Sequence, residues 1–511
     1  LEVAAMKCIF YVAHESDSTI KPKHKIGRAK EREKKLFEAL RKGALQHGDT
    51  IDMMPSGEFE GVQQDCDLAI VFGCKGSSRR ISEAYLKQSR QIMFLDKPHF
   101  RPIGLGEKGM KNLWRLSVDG FYPHQYFRCG RPSDRFEKWG IKLQPWRDDN
   151  KEGKHVLVAG SSQKFHDFHQ VRGPVHNYYH GLLRRLKDGW TGPTVYRAKP
   201  SFAVRHSDKV RPMMGKALSR MSNPRDRIWK ELENCWALVT WGSNAALDAL
   251  ISGVPILTVG DSIAKTMSRC DDHNELTWRI SDPWHPSDAE RHQFFCDIAY
   301  CQFTPDEMKN GYAWGLILEQ TPKALLTSPD FISLSDKDRN LQQYKFLHAR
   351  GNFFKGLSTC SWRTEIGEMI QRHAAETLLD YGCGKGEQYK SKREQTGWTG
   401  WLSGMPTMYD PAVPEFELPP PEGQLFDGVL CIDMLEHIEE KYLDEVIDHV
   451  FSYALKFAFF AVHTGLARKH LPDGRNCHLT IKDRGWWRKK INARNFEGVD
   501  VRVCSSMEGE K

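Results

Sequence analysis

Asp433, Glu436 and His437 stand at i, i+3 and i+4, and His478 follows the next long apolar run. A helix starting at Asp433 would turn the first three toward one face. Two carboxylates and two imidazoles make a mixed oxygen and nitrogen donor set suited to Mg, Mn, Fe or Zn. The same residues also admit a metal-free arrangement, in which Asp433 caps a helix and His437, beside Glu436, is a general base for a hydroxyl.

A glycine-rich turn lies upstream. Thr377 to Gly386 reads TLLDYGCGKG, an apolar strand that reaches Asp380 and then Gly382, Gly384 and Gly386. Glycines at such a turn let the backbone bend tightly and let a ligand come close, and an acid at the strand end can orient the ligand's polar groups. A second apolar run, Phe426 to Ile438, and the Met408-Tyr409-Asp410 step between the two complete the pattern. Together these segments resemble class I S-adenosylmethionine-dependent methyltransferases over roughly residues 341 to 511. The resemblance implies that Asp380, Gly382, Gly384 and Gly386 surround the methionine end of S-adenosylmethionine and that Asp410 binds its ribose. The gap from Gly386 to Asp410 is longer than usual in that family. The Asp433, Glu436, His437 and His478 set is similar to the metal site of small-RNA 2′-O-methyltransferases, with Asp433 where that family has Glu. By that likeness a divalent metal, Mg or Mn, would bind the acceptor hydroxyl and lower its pKa.

A third constellation occupies the first half of the chain. Cys235 to Gly260 (CWALVTWGSNAALDALISGVPILTVG) reads as strand, turn with Ser243 and Asn244, small-residue helix with Asp248, and a Gly-Val-Pro step into another strand. A hydroxyl beside free amides at a helix start is suited to phosphate. Arg197 and Lys199, in Tyr196 to Pro200 (YRAKP), could neutralise a diphosphate. These segments resemble the nucleotide-sugar half of GT-B glycosyltransferases and their capsule-synthesis relatives, where the helix acid is usually Glu. The likeness implies a nucleotide sugar as donor and a glycan or glycosylated acceptor. His14, after the first strand, is the candidate acceptor base.

The elements that would position these groups repeat one rhythm. Cys8 to Ala13, Ile51 to Met54, Asp67 to Gly73 and Gln91 to Asp96 are short apolar runs, with a charged helix from Lys25 to His47. From Leu113 the sequence turns aromatic and irregular and reads as a connection. The rhythm restarts at Lys154 to Gly160. Strands separated by amphipathic stretches predict parallel sheets. The expected fold class is α/β: two Rossmann-like domains in a GT-B arrangement, then a Rossmann-like class I methyltransferase domain. The expected boundaries are 1–150 (acceptor side), 151–320 (nucleotide-sugar side), a linker at 321–340, and 341–511.

Composition bounds the partners. At ~100 to 200 residues per domain, 511 residues predict about three domains. Lys plus Arg exceed Asp plus Glu by 74 to 66, a net +8, which suits anionic ligands but falls short of a dedicated nucleic-acid binder. Ten Lys and Arg between Lys21 and Lys42 read as a solvated helix face or as a contact to a polyanion, whether acidic glycan or nucleic acid. The 13 scattered Cys with no CxxC fit a reducing cytoplasm. No apolar run reaches the ~20 residues of a membrane helix. The residues before Met6 read as an extension, without a signal-peptide pattern. The sequence therefore predicts a bifunctional glycosyltransferase and O-methyltransferase similar to phage or bacterial glycan-modifying enzymes. The alternatives are hypermodification of a hydroxymethylated pyrimidine in phage DNA, or a methyltransferase carrying a non-catalytic GT-B-like scaffold. Charge and pattern leave the oligomeric state open.

Overall fold

The computed structural model describes residues 5–13, 23–88, 90–99, 112–122, 130–147, 154–199, 218–222, 227–270, 273–349, 354–390, 405–467, 469–495 and 498–506. They form two compact units, Ala4–Ile317 and Leu318–Lys511. His14 and Lys21 lie outside the described residues.

In the first unit, β1 (Lys7–Val12), β2 (Thr50–Pro55), β3 (Leu68–Phe72) and β4 (Gln91–Asp96) pair in parallel. Their central residues, such as Leu68 to Val71 and Ile92 to Leu95, are fully buried, which is why these strands read as unbroken apolar runs. The segment expected to be an irregular connection instead contains β5 (Trp114–Val118), antiparallel to β4. Its Arg115 is buried because the guanidinium lies 3.7 Å above the Phe121 ring and 3.3 Å from the Asp96 carboxylate. Asp96 is Arg115's register partner on β4 and Phe121 follows β5, so the burial of Arg115 depends on strand pairing that its own run does not show.

A second, wholly parallel sheet follows: β6 (His155–Ala159), β7 (Thr194–Arg197), β8 (Arg220–Met221), β9 (Cys235–Thr240) and β10 (Ile256–Thr258), in the order β10-β9-β6-β7-β8. The chain then returns. β11 (Gln302–Phe303) pairs antiparallel with β5, giving the first sheet the order β11-β5-β4-β3-β1-β2. One continuous core joins the two sheets through Phe94, Phe121, Phe165 and Phe168.

The stretch expected as a linker is helical over Pro322–Thr327 and Pro329–Ser333 and enters a longer helix, Asp336–Ala349. The second unit carries a third parallel sheet, β12 (Leu378–Tyr381), β13 (Thr407–Tyr409), β14 (Phe426–Ile432), β15 (Ala454–His463) and β16 (Asp500–Ser506), in the order β13-β12-β14-β15-β16. Separate apolar clusters, one around Ile447 and Phe460 and one around Ile370 and Phe459, cover its faces. All three sheets are α/β and parallel-rich, consistent with Rossmann-like folds. Among the described residues no helix is long and apolar enough to cross a membrane.

Strand order locates the sites. Each sheet reverses its winding once: between β1 and β3, between β6 and β9, and between β12 and β14. Loops leaving the carboxyl ends of two such strands diverge and open a crevice, the usual ligand position in open α/β sheets. The glycine turn follows β12, and the Asp433 to His437 segment follows β14, so both candidate groups share one crevice.

Candidate functional site

That crevice is a cavity of about 1330 Å³ lined by Tyr381 to Gly384, Asp410 to Ala412, Asp433, Met434, Glu436 to Glu439, His463, Lys469 and His478. At roughly 300–1,000 Å³ for a small-ligand site, this one has room for a cofactor and an acceptor together.

The glycines are required here. Gly382 and Gly384 have φ of +83° and +59°, in the left-handed region. A Cβ on Gly384 would stand 2.7 Å from the Phe354 carbonyl oxygen, and one on Gly382 would stand 2.5 Å from the Met434 side chain. The backbone of residues 354–356 lies against this turn, the amides of Lys385 and Glu387 donating to the carbonyls of Phe354 and Lys355 (3.0 and 2.9 Å). Asp410 ties the turn to the next strand end: its carboxylate accepts the Gly384 and Ala412 amides, each at 2.9 Å. Asp380 and Gly386 stand behind the cavity wall. The Asp380 carboxyl receives hydrogen bonds from the Tyr389 hydroxyl (2.6 Å) and Gln388 Nε2 (3.2 Å), and burial pushes its pKa up to about 6.

The segment after β14 departs from the expected helix. Asp433 takes φ +49°, and only Leu435–His437 forms a short 3-10 turn. The α-helix begins later, at Leu443–Phe451. Three of the four anticipated ligands nevertheless converge: one ligand atom each from Glu436, His437 and His478 lie within 4.8 Å of one another. Asp433 lies outside that group, although its charge reaches the Glu436 carboxyl.

Backbone contacts set the chemistry of the three. Glu436 is fully buried; Oε1 accepts the His463 amide at 2.9 Å, and Oε2 has no hydrogen-bond partner. Burial first, and the Asp433 charge second, push its pKa well above the usual carboxylate range. His437 Nδ1 lies 2.9 Å from the Cys477 carbonyl and His478 Nδ1 2.6 Å from the Gly465 carbonyl. A carbonyl can only accept, so both imidazoles carry their proton on Nδ1 and keep the lone pair on Nε2. Burial pushes the His437 pKa down to about 3, which keeps the ring neutral at neutral pH and makes it a poor general base there. Two imidazole nitrogens with their lone pairs turned inward and a buried carboxylate oxygen lacking a hydrogen-bond partner form a donor set that fits a divalent cation.

The first unit arranges its polar groups differently. Arg197 donates to the Ser222 hydroxyl at 2.8 Å. Asp248 lies within reach of the Arg197 charge, but burial dominates and raises its pKa to about 7. Lys199, past the end of β7, lies close to Lys75, Asp96 and Lys97, which follow or end β3 and β4 of the other sheet. Asn244 Nδ2 also crosses between sheets, donating to the His99 carbonyl at 2.6 Å. The helix expected to offer its N-terminus to phosphate is only Ala245–Ile251. Several of its turn amides are already engaged: Gly242 and Ser243 donate to Thr240 Oγ1 (3.2 and 3.0 Å), and Ala245 donates to Ser243 Oγ (3.3 Å).

No family model matches the sequence, and no curated protein matches it. Among solved structures, the chain aligns with the KpsC β-Kdo 2,7 transferase of Thermosulfurimonas dismutans at 13% identity and a TM-score of 0.36, covering 60% of this chain and 98% of that one. It aligns with the KpsC β-Kdo 2,4 transferase of the same organism at 10% identity and a TM-score of 0.37, covering 62% and 99%. Overlaps of that quality carry no argument about what this chain does.

The functional reading of the sequence missed Lys75, Lys97 and His99 in the first unit and His348, Phe354, His463 and Lys469 in the second. The first three follow strand ends at a sheet's carboxyl edge, where the crevice rule points. His463 ends β15 on the same edge. His348 and Phe354 reach the cavity from the segment upstream of the sheet and carry no local signal.

Proposed function

We propose that residues 318–511 transfer a methyl group from S-adenosylmethionine to a hydroxyl of an acceptor. The observation that carries this reading is that the glycine turn and the Glu436, His437 and His478 group line one cavity at one sheet edge. Gly382 and Gly384 leave room for the cofactor at the backbone, and Asp410 sits at the end of β13 where a ribose would lie. Glu436, His437 and His478 would hold a divalent cation, which supplies Lewis-acid activation of a hydroxyl when bound. Cys477 and Gly465 hold the two rings in the tautomer that presents Nε2. The fully buried Glu436 makes this end of the cavity a place where solvent competes little with the acceptor. In the transfer itself, the acceptor oxygen bonds to the methyl carbon as the carbon–sulfur bond breaks, giving S-adenosylhomocysteine and releasing the hydroxyl proton.

For residues 4–317 we infer glycosyl transfer from a nucleotide sugar to a glycan acceptor. The specific support is that Lys199 from one sheet lies near Lys75 and Lys97, as well as Asp96, from the other, with Arg197 ending the same strand that leads to Lys199, a set of cations suited to a diphosphate.

Calorimetric titration with S-adenosylhomocysteine and with a panel of nucleotide sugars tests both readings on the full chain. Binding of each ligand class with independent stoichiometry is expected. Absence of S-adenosylhomocysteine binding by folded protein removes the methyl-transfer reading. Absence of binding by every nucleotide sugar removes the glycosyl-transfer reading.

A further inference from the structure

Beside the three-residue group the cavity has a second polar end that none of the groups described above explains. His348 is 7% exposed, lines the cavity, and its Nδ1 has no hydrogen-bond partner. A buried imidazole nitrogen without a partner is costly, so a missing acceptor or donor is the natural reading. Its ring stacks on Phe354 with centroids 4.7 Å apart and planes 17° apart. The Lys469 ammonium lies 4.1 Å from the centroid of the same Phe354 ring and also lines the cavity. Phe354 holds φ +48°, an uncommon conformation for an aromatic residue. Its ring stands 5.7 Å from the His437 ring, so this aromatic platform directly adjoins the three-residue group.

The charges at this end have one sign. Lys385 and Lys469 are the charged groups that act on His348, and both push its imidazole toward the neutral form. Neutral His348 with its proton on Nδ1 would offer an N–H to an acceptor oxygen. The adjoining donor set supplies one carboxylate and two imidazoles, and the nearby Asp433 adds a second negative charge, so a divalent cation held there is close to neutralised. An acceptor entering beside it meets positive charge at Lys469.

The geometry points to an anionic acceptor: the hydroxyl that is methylated lies at Glu436, His437 and His478, and a carboxylate or phosphate on the same molecule lies between Lys469 and His348. This inference rests on the methyl-transfer reading and deepens it, naming the acceptor class as a sugar acid or sugar phosphate rather than a neutral sugar.

The test uses the full chain saturated with S-adenosylhomocysteine and Mn, titrated with glucuronate, glucose 6-phosphate and methyl glucoside. At least one charged sugar is expected to bind tenfold or more tightly than methyl glucoside, and the stronger of the two identifies carboxylate or phosphate as the recognised group. Lys469→Gln is expected to erase that preference while changing S-adenosylhomocysteine affinity less than twofold. His348→Phe, which keeps the stack and removes the N–H, is expected to weaken the charged sugar about three- to tenfold. Equal binding of all three sugars, no binding of either charged sugar, or a preference that survives Lys469→Gln overturns the inference. The cofactor titration, run first and alone, separates that result from failure of the methyl-transfer reading itself.

Discussion

The two units place their polar groups by opposite means. In residues 318–511 the candidate groups are held by backbone: Asp410 by the Gly384 and Ala412 amides, Glu436 by the His463 amide, His437 and His478 by carbonyls. In residues 4–317 side chains hold more of them, with Arg197 on the Ser222 hydroxyl and Lys199 near Asp96, while Asn244 reaches the His99 carbonyl. Backbone tethers fix a group with little loss of side-chain entropy at the moment of binding, so the first arrangement is pre-organised. Side-chain contacts across two sheets permit adjustment when a ligand enters. One unit fixes its polar groups before any ligand enters, and the other leaves them largely to side chains that can shift.

The largest effect should come from the tethered site. Gly384→Val combines positive φ with a clash against the Phe354 carbonyl. Strain and overpacking together cost on the order of 2–6 kcal/mol. S-adenosylhomocysteine affinity should therefore fall a hundredfold or more by calorimetry, with nucleotide-sugar binding unchanged. Undiminished cofactor affinity would break the pre-organised half of the comparison.

Glu436→Gln should come next, and it separates function from stability. Methyl transfer is expected to fall about a hundredfold or more, on the scale of a lost catalytic group. Stability should move the other way. The raised carboxyl pKa means that this group's contribution to stability is full below the unfolded value near 4 and is lost as pH rises through the folded value. In EDTA at pH 8 the amide variant should melt at or above the parent. Mn should raise the parent's melting temperature and leave the variant's unmoved. A variant that melts lower in EDTA and still responds to Mn would remove the cation site.

A smaller effect is expected at the side-chain-built edge. Arg197→Ala with Lys199→Ala removes two charge-assisted contacts of about 1.5–3 kcal/mol each to a charged ligand, less what Lys75 and Lys97 retain. Nucleotide-sugar affinity should fall about ten- to a hundredfold, with methyl transfer intact. Loss of both activities would show that the two units do not work independently.

The sequence was most legible where a residue's surroundings are local. Continuous runs such as Leu68 to Val71 and Phe457 to Val462 announced buried parallel strands, and the Gly382 to Gly386 turn announced its own geometry. β5 lies in the aromatic, irregular stretch after Leu113, and its Arg115 is buried through Phe121, Tyr122, Asp96 and His99, contacts that the run itself does not show. Glu436, His437 and His478 were found from residue type and spacing, yet the helix that suggested them does not form. Asp433 instead turns through positive φ and leaves the group. Lys469 joins His348 and Phe354 at the cavity through a contact that spans more than a hundred residues, which residue spacing cannot encode. The anticipated phosphate site at Ser243 met a different obstacle, since Thr240 claims the amides that the pattern offered.

Asp248 gives the smallest effect and the finest test of how the first unit works. Burial raises its pKa to about 7, while Arg197 pulls it down. Against an unfolded value near 4, the stability this group contributes is full below about pH 4 and is lost as pH rises through 7. Asp248→Asn should therefore match the parent at pH 4.5 and exceed it at pH 8 by about 1–3 kcal/mol, less than the roughly 4 kcal/mol that a full three-unit shift would give. Thermal melts at the two pH values read that difference directly. If the parent is the more stable at pH 8, the Arg197 attraction outweighs burial and Asp248 is an ionised partner of the cationic edge. If the variant is the more stable, the acid is held there at a cost that folding alone does not repay. Nucleotide-sugar binding by the variant should then show what offsets that cost: a loss of affinity that grows between pH 6 and pH 8 would assign it to the ionised carboxylate acting on the donor.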